Sequence, residues 1–144
     1  RKGQEELWYL TTIYGSHVPS MRSSLRNFLR TYSDHMVVPW AIIGDFNAIL
    51  HESDRSGGVE YPTHKGVRAF RKVMEYCHLL DVGFEGPNFT WSRGDLSMRL
   101  DRLIVNQAWR LQFPRAIVTH LYQYKSDHKQ LLLNLNVGVP PNRR

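Results

Sequence analysis

The stretch VVPWAIIGDFN, residues 37–47, decides how the rest of the chain is read. Residues 37–43 form an apolar run closed by Gly44, short enough for one buried strand, and Pro39, which has no N–H for a ladder, must sit at its start. Its C-terminal end delivers Asp45 and Asn47. Along an extended chain these two share one face and Phe46 takes the other, so Phe46 packs inward while a carboxylate and an amide face a cleft.

Upstream, residues 7–13 (LWYLTTI) are rich in β-branched and aromatic side chains and close on Tyr14-Gly15, which predicts a strand running into a loop. Pro19 suits a first helical turn. Leu25, Phe28, Leu29 and Tyr32 then recur at i, i+3, i+4 and i+7, with Arg22, Arg26 and Arg30 on a separate basic face. Downstream, a polar loop at 52–65 leads to a second amphipathic helix. Val67, Phe70, Val73, Met74 and Cys77 mark its apolar stripe, and Lys65, Arg68, Arg71 and Lys72 its wetter side. Short strands follow at 79–84, 88–92, 99–106, 116–122 and 130–137, the first three bounded by Gly, Pro, Asn or Asp. This order predicts an α+β domain with sheet packed against sheet and helices outside.

A chain of 144 residues suffices for one domain. We assign it to 1–137, with 138–144, which holds Pro140-Pro141 and Arg143-Arg144, as a tail. A composition 42% hydrophobic and 22% charged excludes disorder and coiled coil. The single Cys77 excludes an internal disulfide and a Cys-rich zinc site. No apolar run approaches the roughly 20 residues of a membrane span. The expectation is an intracellular protein, nuclear if functional, with no membrane partner and no obligate oligomer. Nineteen Lys and Arg against 13 acids, a net charge of +6, favour a polyanionic partner such as nucleic acid.

Three segments place acid and histidine side chains at strand ends: GDFN at 44–47, RLDR at 99–102 and SDH at 126–128. Asp101 stands in an otherwise apolar strand, where a carboxylate needs a partner. Each has a structural alternative. A lone Asp after a strand is most often a turn former or cap, a His beside an Asp is usually surface, and Asp101 has Arg99 and Arg102 close by to pair with. His17, His35, His51, His64, His78 and His120 show no metal spacing, and Cys77 lies on a core stripe.

Taken in order, Tyr14, GDFN at 44–47, FTW at 89–91, RLDR at 99–102 and SDH at 126–128 resemble the endonuclease/exonuclease/phosphatase superfamily. IYGS at 13–16, PWAIIGDFNAIL at 39–50, SGG at 56–58 and LLDVGFEGPNFTWS at 79–92 are closer still to the endonuclease domain of plant LINE-type non-LTR retrotransposons. The resemblance implies the C-terminal part of a four-layer α/β sandwich, two mainly antiparallel sheets face to face with helices outside. It also implies Mg²⁺ (or Mn²⁺) dependent phosphodiester hydrolysis of DNA, with a reverse transcriptase domain as a possible partner in the same polyprotein. By position, Asp45 matches the carboxylate that orients or deprotonates the attacking water and Asn47 the amide that holds the phosphate. Asp101 orients His128, which stabilises developing charge; Asp127 contributes to the metal site and Tyr14 contacts phosphate. Arg93, Arg99 and Arg102 are expected to form the nucleic-acid surface in preference to Arg22, Arg26 and Arg30, and Trp91 either packs beneath the site or touches DNA.

The sequence also departs from the family pattern. The family's first strands, bearing an Asn and the main metal-binding Glu, precede anything present here, and Glu5 and Glu6 stand too close to the Tyr14 strand to replace that Glu. Lys129 and Gln130 follow the SDH segment where a Pro is usual two positions on. The resemblance therefore implies a chain that binds its metal weakly, is impaired as a nuclease, and leaves the strand at 130–137 with an unpaired edge. A catalytically inactive remnant that only binds nucleic acid, or a lipid or inositol phosphate phosphoesterase of the same superfamily, are the alternatives.

Overall fold

The computed structural model describes residues 7–15, 19–58, 64–123 and 126–138. Its elements run β1 (Tyr9–Tyr14), α1 (Pro19–Ser33), β2 (Trp40–Asp45), a 3-10 turn (Glu52–Asp54), β3 (Arg55–Ser56), α2 (His64–Tyr76), β4 (Leu79–Asp81), β5 (Trp91–Arg93), β6 (Leu96–Met98), β7 (Asp101–Asn106), α3 (Gln107–Gln112), β8 (Ile117–Gln123) and β9 (Lys129–Asn134). Glu5, Glu6 and all of the expected tail beyond Gly138 lie outside the described residues.

Alternation along β2 and β7 builds the layers. Trp40 and Ile42 of β2 and Ile104 of β7 face one side, where they pack with Leu29 of α1 and Phe70, Val73 and Met74 of α2. Ala41 of β2 and Leu103 and Val105 of β7 face the other, against Trp109 of α3, Val118 of β8 and Leu131 and Leu133 of β9. A strand apolar on both faces reads as a continuous run, as 37–43 does. The order in the main sheet is β1-β2-β7-β4, with β1 parallel to β2 and the other pairs antiparallel. A β8–β9 hairpin covers its second face, and β3, β6 and β5 form a small antiparallel sheet.

The expected α+β architecture of packed sheets with outer helices is what the chain adopts. Three short elements differ from expectation. β6, β3 and α3 are too brief to show a period; α3 is started by Asn106, whose side chain accepts the Trp109 N–H at 3.0 Å. β9 pairs with β8, its side chains alternating between half-buried and exposed.

Arg99 and Arg102, expected on a nucleic-acid surface, are instead buried, Arg102 completely (0% exposed). Arg99 grips Asp81 with two hydrogen bonds, Nη1 to Oδ2 at 3.0 Å and Nη2 to Oδ1 at 2.9 Å. Arg102 donates to Asp81 Oδ2 at 2.9 Å, to Asp54 Oδ2 at 3.1 Å and to the Arg99 carbonyl at 2.9 Å. Arg99 also lies over the Phe84 ring, 4.6 Å from its centroid. A guanidinium removed from water must be paired, and Asp54 and Asp81 supply that pairing. Burial alone pushes the Asp81 carboxyl up, but the Arg99 hydrogen bond, the charges of Arg102 and Arg99 and the Gly83 N–H outweigh it and hold the group below the ordinary carboxylate range.

Removing one partner of such a cluster leaves an uncompensated buried charge, so Arg102→Ala should lower the unfolding free energy by about 3–5 kcal/mol at pH 7. Asp81's depressed value makes its contribution present above the unfolded-state pKa and lost as pH falls through the folded-state value. Urea titrations of parent and variant at pH 7 and in acid should therefore converge in acid. A variant as stable as the parent at pH 7 would show that the quartet does not support the fold.

Candidate active site

The C-terminal end of β2 is locked to β1 before it reaches its functional residues. Gly44 passes so close to β1 that a Cβ there would overlap the Ile13 carbonyl oxygen, and its φ of 145° is one that side-chain-bearing residues rarely adopt. The Gly15 N–H donates to the Asp45 carbonyl, and Tyr14 stands in register beside Asp45. Asp45 itself is buried, and its Oδ1 accepts the Asn47 N–H at 2.7 Å. Phe46 turns inward and packs on Phe70 with ring centroids 5.4 Å apart. Asn47 leaves the strand in a left-handed conformation (φ 47°), which Asn tolerates better than most residues. The turn, rather than strand alternation, thus sets where Asn47 goes.

Asp101 opens β7 directly opposite Asp45. Like charges at opposed positions repel. His128 lies between them: its Nδ1 is 2.8 Å from Asp101 Oδ2, and its Nε2 is 3.7 Å from Asp45 Oδ2. The short contact has the geometry of an Nδ1–H donating to a carboxylate, which orients the ring and leaves Nε2 toward Asp45. The SDH segment reaches this point through a bridge between Trp91 and His128 and a 2.7 Å hydrogen bond from the Lys129 N–H to the Thr90 carbonyl. Ser126 Oγ accepts the His128 N–H at 3.1 Å. The imidazole is about one-third exposed (31%), so a ligand can reach it.

Each ligand-type atom of Asp45, Asp101 and His128 lies within 4.8 Å of the others. Asp101 therefore takes His128 as partner and not Arg99 or Arg102, which are committed to Asp54 and Asp81. Tyr14 is 83% exposed at the rim, Asp127 is exposed and outside the three-residue group, and Arg93 is exposed on β5. Trp91 is half-buried and packs with Met98 against Ile49, Val67 and Leu100. Thr90, Asp54 and Asp81, to which the sequence reading gave no role, prove to be hydrogen-bond centres. Asp81 carried the same signal as Asp101, an acid inside an apolar stretch.

Burial first, and the neighbouring Asp101 second, push the Asp45 carboxyl up; the Asn47 N–H and His128 oppose them only in part. The site thus holds a carboxylate with raised proton affinity, a second carboxylate, and an imidazole between them. Two facing carboxylates fit a hard divalent cation, which binds through one or two protein carboxylates and otherwise through water and substrate oxygens.

A family model described as the Endonuclease/Exonuclease/phosphatase family matches residues 8–128. No curated protein matches the chain significantly. Among solved structures, an AP endonuclease from Leishmania major superposes with a TM-score of 0.62 at 17% identity, covering 81% of this chain and 43% of that one. A 3′-5′ exonuclease from Neisseria meningitidis superposes with a TM-score of 0.61 at 19% identity, covering 87% and 60%. The chain thus spans less than two thirds of either structure, and the likeness is one of fold.

The raised pKa of Asp45 carries a stability consequence. Above its folded-state value the ionised group subtracts from stability, and the penalty vanishes below the unfolded value of about 3.9, where both states are protonated. Asp45→Asn keeps the acceptor for the Asn47 N–H, so it should raise Tm at pH 7, with a gain that disappears as pH falls below about 4. Thermal melts of the two proteins across this range test it; a lower Tm for Asp45→Asn at pH 7 would contradict the electrostatic account.

Proposed function

The chain belongs to the endonuclease/exonuclease/phosphatase family, and we propose that it is a divalent-metal-dependent phosphodiesterase domain that cuts DNA. The observation that carries the reading is the Asp45–His128–Asp101 cluster, in which an imidazole is oriented from one side by a buried carboxylate and is open to solvent.

In this reading Asp101 holds the His128 ring through Nδ1–H, and Nε2, when the ring carries both protons, donates to a non-bridging phosphate oxygen as water oxygen bonds to phosphorus and the P–O bond to the departing strand breaks. Asp45, whose proton affinity is raised, accepts a proton from the attacking water. The Asn47 amide and the Tyr14 phenol are assigned to hold the phosphate. A Mg²⁺ or Mn²⁺ ion would supply neutralisation of the phosphate charge; Asp101, through the oxygen that does not face His128, and the exposed Asp127 would hold it, which leaves Asp45 to act as the base.

DNA is favoured as the substrate by the +6 net charge, and the exposed Arg93 is the remaining candidate of the expected nucleic-acid surface. The wording of the segments at 13–16, 39–50, 56–58 and 79–92 supports a retroelement endonuclease, working in the nucleus beside a reverse transcriptase.

Nicking of supercoiled plasmid, slow as the weak metal binding expected from the sequence implies, should require Mg²⁺ or Mn²⁺ and stop in EDTA. His128→Ala should slow it by about 10²–10³-fold, the range for losing one charge-stabilising donor. Cleavage by His128→Ala at the parent rate would remove the proposed mechanism.

Electrophoretic shifts over a salt series give a separate check. Affinity should fall linearly on a log–log plot, and Arg93→Ala should reduce the slope by about 1 if Arg93 neutralises a phosphate. An unchanged slope would take Arg93 off the DNA surface.

A further inference from the structure

Thr90 is a fully buried polar residue (0% exposed) that the mechanism above does not use. Its Oγ1 accepts two consecutive backbone N–H groups, those of Leu100 at 3.0 Å and Asp101 at 3.1 Å. In an extended strand successive N–H groups point to opposite sides. Two that converge on one oxygen mean that the chain is bent as it enters β7, and the hydroxyl holds the bend. The Leu100 carbonyl meanwhile accepts the Phe46 N–H at 2.9 Å, which ties the same bend to the segment that follows Asp45.

The backbone of Thr90 works on the other partner. Its carbonyl accepts the Lys129 N–H at 2.7 Å, one residue beyond His128, and its own N–H donates to the Met98 carbonyl at 3.0 Å. Trp91, the next residue, bridges to His128. One residue therefore ties the backbone on both sides of the 2.8 Å contact between Asp101 and His128.

We propose that Thr90 is a positioning residue: its hydroxyl sets the entry of β7 so that Asp101 meets His128 Nδ1 and fixes the imidazole with Nε2 free. This deepens the reading of the site as a phosphodiesterase centre and rests on it for its catalytic meaning. Val has nearly the shape of Thr but no acceptor, so Thr90→Val leaves two buried N–H groups without a partner and releases the bend. Ser keeps the acceptor.

The test reads the His128 tautomer by long-range ¹H–¹⁵N correlation on the neutral ring, assigned by the signals lost in His128→Ala. The parent and Thr90→Ser should show the Nδ1–H form, and Thr90→Val should shift toward Nε2–H. Val73→Ala, a cavity in the core below α2, serves as the destabilised control and should keep the parent tautomer. In plasmid nicking, Thr90→Val should lose about 10²-fold in kcat, the scale of a roughly 1 Å misplacement, with KM little changed, and Thr90→Ser should restore the rate. If Thr90→Val does not fold, Thr90→Cys, whose sulfur is a weak acceptor, takes its place with the same expected shift. An unchanged tautomer in a folded Thr90→Val or Thr90→Cys overturns the proposal whatever the cleavage rate. A parent with the expected tautomer and no nicking would count against the phosphodiesterase reading and leave the role of Thr90 standing.

Discussion

The quartet of Arg99, Arg102, Asp54 and the half-buried Asp81 is the interaction on which the site depends. Its members come from the turn after β2, from β4 and from the two ends of the RLDR segment, so it joins three parts of the chain that share no local sequence. Asp54 does more than neutralise charge. Its Oδ2 accepts the Leu50 and His51 N–H groups at 3.0 and 3.1 Å, and its carbonyl accepts the Arg99 N–H at 2.8 Å. The loop that carries Asn47 is thereby closed at its far end on the segment that carries Asp101. Arg71 adds a clasp from α2, donating to the Leu50 carbonyl at 2.7 Å.

The consequence is a division of labour within four residues. Along RLDR, Asp101 reaches His128 while Arg102, its neighbour, reaches the Asp54 and Asp81 carboxylates and lies near Phe70. Strand alternation enforces the separation, because adjacent side chains leave opposite faces. A single strand thus presents one carboxylate to the cleft and one guanidinium to the interior. The carboxylates of Asp54 and Asp81 are satisfied by fixed cations, whereas Asp45 and Asp101 face each other with only an imidazole between them. The first pair is met by two guanidiniums; the second has no fixed cation beside it, and burial together with the neighbouring Asp101 raises the proton affinity of Asp45.

Much of this was legible in the residues. Periodicity gave both long helices and the buried strand, because α1, α2 and β2 are long enough to show their stripes or runs. It missed β6, β3 and α3, which have two to six residues and are fixed by tertiary contacts and a cap. Asp45, Asp101 and His128 could be singled out because polar groups at the ends of apolar strands stand out against their surroundings. Arg99 and Arg102 were misread for a physical reason: a guanidinium in a short polar motif looks like surface until its partners are known, and those partners are 18 to 48 positions away. Thr90 stood inside the FTW segment with no role of its own, since a hydroxyl between two aromatics is equally consistent with packing and with capping.

The burial of the RLDR arginines changes what a loss of DNA binding would mean. Neutralising an exposed cation removes a phosphate contact and leaves the fold alone. Neutralising Arg99 or Arg102 strands Asp54 or Asp81 in the interior and loosens the loop that holds Asn47. Weakened binding in such a variant would report on the shape of the site, with a stability change to match, and not on an electrostatic surface. Charge and function are therefore separable here by position: cations that meet phosphate must be sought among the exposed residues, while the cations of the motif itself build the ground on which Asp101 stands.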